Sequence, residues 1–173
     1  FTSPKFADAL RLDEDDKRRE FITLVNPLGE ALSVMRTTLT HTMCETLSFN
    51  VTHFNKEAAL FEVSSVYLPK SLPLTELPYE EEKLAVGMYG PSVDFFTLKG
   101  VIEELLAGLG VEGKYVKANI NFLHPGRSAE LFIAGESVGY LGEIHPDSAK
   151  FYGVDNRLYV AEISIDKLFD LVN

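Results

Sequence analysis

Residues 129–144 read AELFIAGESVGYLGEI, and this stretch decides the fold class. Two strand-like runs, 129–134 and 137–144, flank a Gly135-Glu136 pair. Two such runs joined by a short link that contains glycine are typical of a β-hairpin. The stretch therefore predicts two antiparallel strands that lie side by side in a sheet.

The rest of the chain adds strands and helices to this hairpin. Short apolar runs predict further strands at 21–28, 59–69 (irregular at Ser64-Ser65), 83–90, 114–120 and 157–163. Helical spacing and capping residues predict helices at 4–12, 40–55, 95–109, 146–152 and 166–172. Residues 13–20 are predicted to form a surface loop or the entry to a strand, and residues 70–81 to form a loop. Hairpins outnumber strand–helix–strand units, which favours an α+β domain with an antiparallel sheet and helices on one face.

Length and composition indicate one ordinary globular domain, residues 1–173, with 46% hydrophobic and 24% charged residues. No apolar run approaches the ~20 residues of a membrane helix. The 16 basic and 26 acidic residues give a net charge of −10, which opposes direct binding of a phosphate backbone. We therefore expect neither membrane insertion nor direct nucleic-acid binding by this chain.

The single cysteine, Cys44, excludes an intrachain disulfide and a cysteine-based zinc site. It lies in a predicted helix beside Met43 and Leu47, so a small buried thiol is favoured over a nucleophile. One unpaired thiol also fits a reducing cytoplasm.

Four apolar residues mark one face of the helix predicted at 40–55. Met43, Leu47, Val51 and Phe54 recur at the spacing of helical turns. Such a face packs either on the core of its own domain or on a partner. The four residues are therefore the candidate subunit interface, with the domain core as the alternative.

Two His-Pro corners form the other candidate site, in FLHPGRSAELFI (122–133) and in LGEIHP (141–146). In one interpretation, the chain is an independent small-molecule enzyme or binder that uses His124, Arg127, Glu130 and His145. In the other, both corners are structural turns, because a residue before proline favours an extended backbone. The turn residues are then His124, Pro125, Gly126, Arg127, His145 and Pro146.

Other catalytic patterns are missing from the sequence. Ser128 lacks the GxSxG setting of a nucleophile elbow. The glycine-rich segment 108–113 follows a helix, so it would present carbonyl groups to a phosphate. His41 and His53 lie too far apart on one helix to share a metal ion.

Five segments in order carry a resemblance to a known family. They read VNPLGEALSVMRTTL, LFEVSSVYLP, DFFTLKGVIEELLAGLG, FLHPGRSAELFI and VGYLGEIHP. Together they resemble the β subunit of bacterial phenylalanyl-tRNA synthetases, in the module that is similar to a class II synthetase catalytic core. The resemblance covers nearly the whole chain and implies an antiparallel sheet flanked by helices. It also implies that residues 1–173 lack the module's first helix and strand and possibly its last helix.

The resemblance implies that the ATP-binding motifs of class II synthetases are degenerate here. Leu60 stands where an F-R-x-E strand carries its arginine, and leucine donates no hydrogen bond to a phosphate. Glu162 and Ser164 stand where two glycines make room for adenine, and Lys167 replaces the arginine that holds the γ-phosphate. We therefore expect no catalytic residue, no ATP site and no metal site in this chain.

The resemblance further implies a structural module that docks on a catalytic α subunit in an α2β2 enzyme. This enzyme attaches phenylalanine to tRNA(Phe) with ATP and Mg²⁺, neither of which this chain would bind. The module would meet tRNA only through the whole enzyme, in the cytoplasm. The predicted helices 40–55 and 95–109 offer docking faces, with the hairpin 129–144 as an alternative.

Overall fold

The computed structural model describes residues 1–172 and shows an α+β domain built on one antiparallel sheet. The strands of these residues are β1 (Ala58–Leu68), β2 (Tyr79–Tyr89), β3 (Lys114–Lys117), β4 (Leu123–Ile133), β5 (Glu136–Ile144) and β6 (Tyr159–Ser164). The α-helices are α1 (Phe6–Ala9), α2 (Thr40–Thr52), α3 (Phe95–Gly108), α4 (Pro146–Phe151) and α5 (Ile165–Val172). The predicted class, an antiparallel sheet flanked by helices, is confirmed.

The strands lie in the order β1-β2-β6-β5-β4-β3, and every neighbouring pair is antiparallel. β1 and β2 form one hairpin, and β3, β4 and β5 form a meander. β6, which follows the other five described strands in the sequence, lies between β2 and β5 and joins the two parts. β6 is therefore a central strand of the sheet and not an edge strand.

The hairpin predicted at 129–144 is present as β4 and β5, with Ala129 opposite Leu141. Its turn residues are Ala134 and Gly135, one position earlier than predicted. Both have positive φ, 50° and 86°, which is the requirement of a two-residue type I′ turn. The turn sets Ile133 opposite Glu136, and a bulge between Leu131 and Phe132 then shifts the register by one residue.

Helices cover both faces of the sheet, so the prediction of helices on one face is wrong. On the first face, α1, α2 and α4 share a core with Ala85 and Tyr89 of β2. On the second face, α3 and α5 share a core with Val86 and Met88. The uninterrupted apolar run at 84–89 is the pattern of a strand that is buried on both faces.

The helix predicted from Asp94 is confirmed as α3. The side chain of Asp94 accepts a hydrogen bond from the backbone N–H of Thr97 at 2.8 Å, and the Thr97 hydroxyl accepts one from the backbone N–H of Asp94. This reciprocal pair is a capping box. Leu98, Ile102 and Leu106 then recur at helical spacing and are buried against the sheet.

Residues 21–28 do not form the predicted buried strand. Thr23 makes a single β-bridge, to Val34, while Val25 and Leu28 are 94% and 95% exposed. The segment does not join the six-stranded sheet, and its backbone hydrogen bonds are with residues 33–35, where the chain returns from this loop. Val25 and Leu28, at the tip of this loop, therefore stay exposed to solvent although they are apolar.

Other differences from the predicted elements concern their boundaries. β1 pairs continuously through Ser64 and Ser65, so the predicted irregularity is absent from it. β2 begins at Tyr79, inside the predicted loop 70–81. α2 ends at Thr52, before the predicted end of the helix.

Candidate functional site

A buried network of hydrogen bonds and ion pairs surrounds Glu162 on β6. The side chain of Glu162 belongs to a residue that is 2% exposed. Its Oε2 accepts hydrogen bonds from the backbone N–H groups of Leu39 and Thr40, both at 2.9 Å. The hydroxyls of Thr38 and Thr40 donate to the same oxygen at 2.6 and 2.9 Å. Because α2 begins at Thr40, the carboxylate caps its N-terminus, where the helix dipole favours negative charge.

Lys83, on the neighbouring strand β2, supplies the opposite charge. Its Nζ lies 3.2 Å from Oε1 of Glu162 and 3.6 Å from Oε2 of Glu81. Burial raises the pKa of Glu162, but the charge of Lys83 and the hydrogen bonds from Thr38 and Thr40 outweigh burial and hold this pKa below its ordinary value. Glu162 is therefore an ionised carboxylate at neutral pH, and both of its oxygens are engaged inside the chain.

α2 fills the sheet face that carries Leu60 and Glu162. Leu60 is half-buried, packs on the core of this face and lies opposite Gly87. A Cβ on Gly87 would lie 2.5 Å from Cγ of Met43 and 3.0 Å from Cδ1 of Leu47. The helix therefore rests directly on the backbone of β2, which leaves no cleft for a ligand at this point.

The four residues of the candidate subunit interface have different environments. Met43 and Leu47 are buried in the core of their own domain, and Val51 is half-buried against it. Phe54 lies beyond the end of α2 and is 93% exposed. This arrangement favours the alternative in which the helix packs on its own domain, since only Phe54 presents a large apolar surface.

The two remaining degenerate positions make their polar contacts at the start of α5 and with β5. The Oγ of Ser164 accepts a hydrogen bond from the backbone N–H of Lys167 at 3.3 Å, at the start of α5. The Nζ of Lys167 donates to the backbone carbonyl of Ser137 at 3.0 Å and lies 3.5 Å from the carboxylate of Glu136. The four positions matched to ATP-binding motifs therefore do not line one cleft.

Each His-Pro corner is held by its own histidine. Nδ1 of His124 accepts a hydrogen bond from the backbone N–H of Gly126 at 3.0 Å, and Nδ1 of His145 accepts one from Asp147 at 3.2 Å. Pro146 follows at the first position of α4, where its missing N–H costs no helical hydrogen bond. Burial is the largest cause that lowers the pKa of His145, which favours the neutral ring that accepts this hydrogen bond.

Arg127, which the sequence places in the first His-Pro corner, makes an ion pair within the chain. Its guanidinium donates two hydrogen bonds to the carboxylate of Glu143, with Nη2 3.0 Å from Oε1, and Glu143 is 3% exposed. Glu130 accepts a hydrogen bond from the hydroxyl of Ser137 across the hairpin at 2.7 Å. Arg127, Glu130 and the two histidines are thus engaged in separate local contacts, and this arrangement gives no support to an active site made of the four.

Sequence reasoning missed the partners of Glu162. Thr38 and Thr40 carry a capping signal, and Glu162 departs from a family motif, but these signals lie 124 and 122 residues apart. Lys83 carries no signal at all, because a lysine near the start of a strand is ordinary surface composition. Only the pairing of β2 with β6 brings these side chains together.

Metal clusters and membrane spans are absent from the described part of the chain. Residues 1–172 hold no group of three or more His, Cys, Asp or Glu side chains that is arranged to bind a metal ion. In the same residues, no helix combines the length and the apolar composition needed to cross a membrane.

Comparison with known proteins confirms the resemblance. A family model described as phenylalanyl tRNA synthetase beta chain CLM domain matches residues 1–165. The phenylalanine–tRNA ligase β subunits of Clostridium acetobutylicum and Clostridium tetani are 44% and 41% identical to the chain over 100% of its length. That of Syntrophus aciditrophicus is 37% identical over 99% of the chain. The chain spans only 22%, 22% and 23% of the length of these three relatives. It belongs to the family of the phenylalanyl-tRNA synthetase β chain CLM domain.

Proposed function

We propose that this chain is a non-catalytic structural module of a phenylalanine–tRNA ligase β subunit. The observation that carries the proposal is the match of residues 1–165 to the β chain family. In the whole enzyme, the module docks on a catalytic α subunit in an α2β2 assembly that attaches phenylalanine to tRNA(Phe). This enzyme works in the cytoplasm, and the module meets tRNA only through it, since a net charge of −10 opposes a large direct contact.

The residues of this chain do not fit ATP. α2 occupies the sheet face next to Leu60, and Glu162 already supplies the negative charge at the N-terminus of that helix. A phosphate at this position would meet a buried carboxylate of like charge. ATP and Mg²⁺ therefore belong to other parts of the enzyme in this proposal, and we assign no catalytic step to this chain.

We also assign the fold to the class II synthetase type. The support is structural: the hairpin β1–β2 and the strand–helix unit β6–α5 lie where the resemblance places two ATP-binding motifs. Both units keep a regular geometry although Leu60, Glu162 and Lys167 have replaced the side chains of those motifs. A domain that keeps this fold but lacks the side chains that bind ATP fits a structural role.

Calorimetry with ATP and Mg²⁺ tests the loss of nucleotide binding. We expect no binding to the chain at concentrations up to about 1 mM, which corresponds to a binding free energy weaker than about −4 kcal/mol. A dissociation constant in the micromolar range would contradict the proposal.

A variant of the assembled enzyme tests the absence of a catalytic role. Lys167→Ala should leave the kcat of aminoacylation within about twofold, since the side chain contacts only the neighbouring hairpin. A fall of about tenfold or more in kcat, with the subunits still assembled, would show that this module takes part in the chemistry. Co-expression with the α subunit tests docking, and failure to recover a complex would contradict that part of the proposal.

A further inference from the structure

An open apolar groove of about 540 Å³ lies on the second face of the sheet, at the end formed by β1. Its floor is formed by residues 59–63 of β1 and 84–88 of β2, and its walls are α3 and α5. Every side chain that lines it is apolar; the principal ones are Phe61, Val63, Val86, Val101, Leu105 and Leu168. The groove is thus a continuous apolar surface and not a set of isolated exposed residues.

The groove is open because the helices of this face lie over other strands. α3 packs on β5 and β6, and α5 packs on β2 and β6. β1 is the terminal strand of the sheet, so its side chains on this face extend beyond both helices. Phe61 is consequently 76% exposed and Val63 48% exposed. Contiguous apolar surface of this kind marks an interaction site more often than chance exposure.

Exposed carboxylates border the groove. They are Glu80 and Glu82 on β2, Glu104 on α3, and Asp166 and Asp170 on α5. The period of two along a strand places the first pair on the groove side of β2, and helical spacing places the others beside lining residues. The rim of the groove therefore carries negative charge.

The lysines of the same four elements are engaged elsewhere. Lys83 is paired with Glu162 on the opposite face of the sheet. Lys99 lies 4.5 Å from the ring centre of Tyr115, and Lys167 is bound to the start of β5. These four elements contain no arginine. No basic residue within them offsets the acidic rim.

We propose that this groove binds an amphipathic helix of the partner α subunit, and that lysine or arginine residues flank the apolar ridge of that helix. The inference rests on the proposed function, because it names the surface through which the module docks. A third helix beside α3 and α5 completes the helical layer on this face of the sheet. Its apolar ridge covers Phe61 and Leu105, as in other complexes of a helix in a groove. Its basic flanks face Glu104 and Asp170, and an acidic helix is repelled.

The test uses a full-length β subunit that contains this sequence, co-expressed with its α subunit. Phe61→Asp places a charge on the groove floor without removing a buried core residue. The matched control is Phe151→Asp, because Phe151 is 52% exposed and lies on α4, which packs on the other face of the sheet. We expect Phe61→Asp to weaken α–β association by about 30-fold or more, and Phe151→Asp to leave it unchanged.

Charge reversal tests the rim separately from the floor. Glu104→Lys combined with Asp170→Lys should weaken assembly and should reduce its sensitivity to salt. The exposed Glu14 lies in the loop before residue 17, outside the groove elements, so Glu14→Lys is the control and should change neither property.

The outcomes separate this inference from the proposed function. If the unaltered subunits form a complex and Phe61→Asp does not weaken it, the groove inference is wrong while docking on the α subunit stands. If Phe61→Asp lowers the Tm of the β subunit alone and leaves assembly unchanged, another part of the β chain covers the groove, and the inference is again wrong. If the unaltered subunits form no complex, the docking proposal fails and the inference fails with it.

Discussion

Replacing Glu162 by glutamine removes one buried charge while changing the side-chain volume very little. Lys83 then loses its partner at 3.2 Å and keeps only Glu81 at 3.6 Å. Removing one partner of a buried ion pair costs about 3–5 kcal/mol. The amide oxygen of glutamine still accepts some of the hydrogen bonds at the start of α2, which places the expected loss near the lower value, about 3 kcal/mol at pH 7. For a domain of this size, that loss lowers the Tm by about 6–12 °C.

Urea denaturation followed by circular dichroism measures this loss, and its pH dependence tests the cause. The folded pKa of Glu162 lies below the unfolded value of 4.5. Its contribution to stability is therefore fully present above the unfolded value and is lost as the pH falls through the folded pKa. The difference between the unaltered chain and Glu162→Gln should accordingly shrink when the pH is lowered below about 4.5.

Two further variants complete this experiment. Glu112→Gln changes an exposed carboxylate and should alter the free energy of unfolding by no more than about 0.5 kcal/mol. Lys83→Met combined with Glu162→Gln should cost less than the sum of the single changes, because the two residues are in contact. A loss below about 1 kcal/mol for Glu162→Gln at pH 7, or a difference that stays constant down to pH 3, would refute the assignment of Glu162 as an ionised helix cap.

Three shorter predictions concern other parts of the fold. Arg127→Ala should destabilise the domain by about 1.5–3 kcal/mol in urea denaturation, because it leaves the carboxylate of Glu143 buried without its main partner; an unchanged midpoint would show that the pair adds nothing. Gly87→Ala should cost about 1–3 kcal/mol through the clash with Met43, and adding Met43→Ala should cost less than the sum; strict additivity would contradict the contact. Burial raises the pKa of the Cys44 thiol, so a thiol reagent at pH 8 should react with it only after unfolding in urea, and reaction in the native state would contradict this burial.

The parts of the fold that could be predicted depend on signals close together in the sequence. The hairpin at 129–144 is indicated by a glycine between two strand-like runs, and α3 by Asp94 three residues before Thr97. Each element contains the residues that mark its own turn or its own start. Each can therefore be predicted from its local sequence alone. The error of one residue in the hairpin turn arises because Ala134, which is not a typical turn residue, has positive φ.

The parts that could not be predicted depend on distant neighbours. The run at 21–28 has the composition of a buried strand, but no strand of the sheet lies beside it. The apolar spacing of residues 43–54 does not predict which of these residues are exposed to a partner. Their exposure depends on how α2 packs on β2. Glu162 appears in the sequence only as a residue that does not suit a nucleotide site. Its role as the cap of α2 requires the pairing of β2 with β6.

The position of β6 has a consequence for how this domain is made. Within the described residues, the hairpin β1–β2 and the meander β3–β4–β5 contact each other in the sheet only through β6, which is synthesised after the other five strands. Until residues 159–164 are available, both parts keep an open strand edge, and the start of α2 lacks its carboxylate cap. Long-range strand pairings of this kind fold slowly and leave edges exposed to wrong partners. A nascent chain that stalls before β6 is therefore expected to be more prone to aggregate than one that stalls just after it.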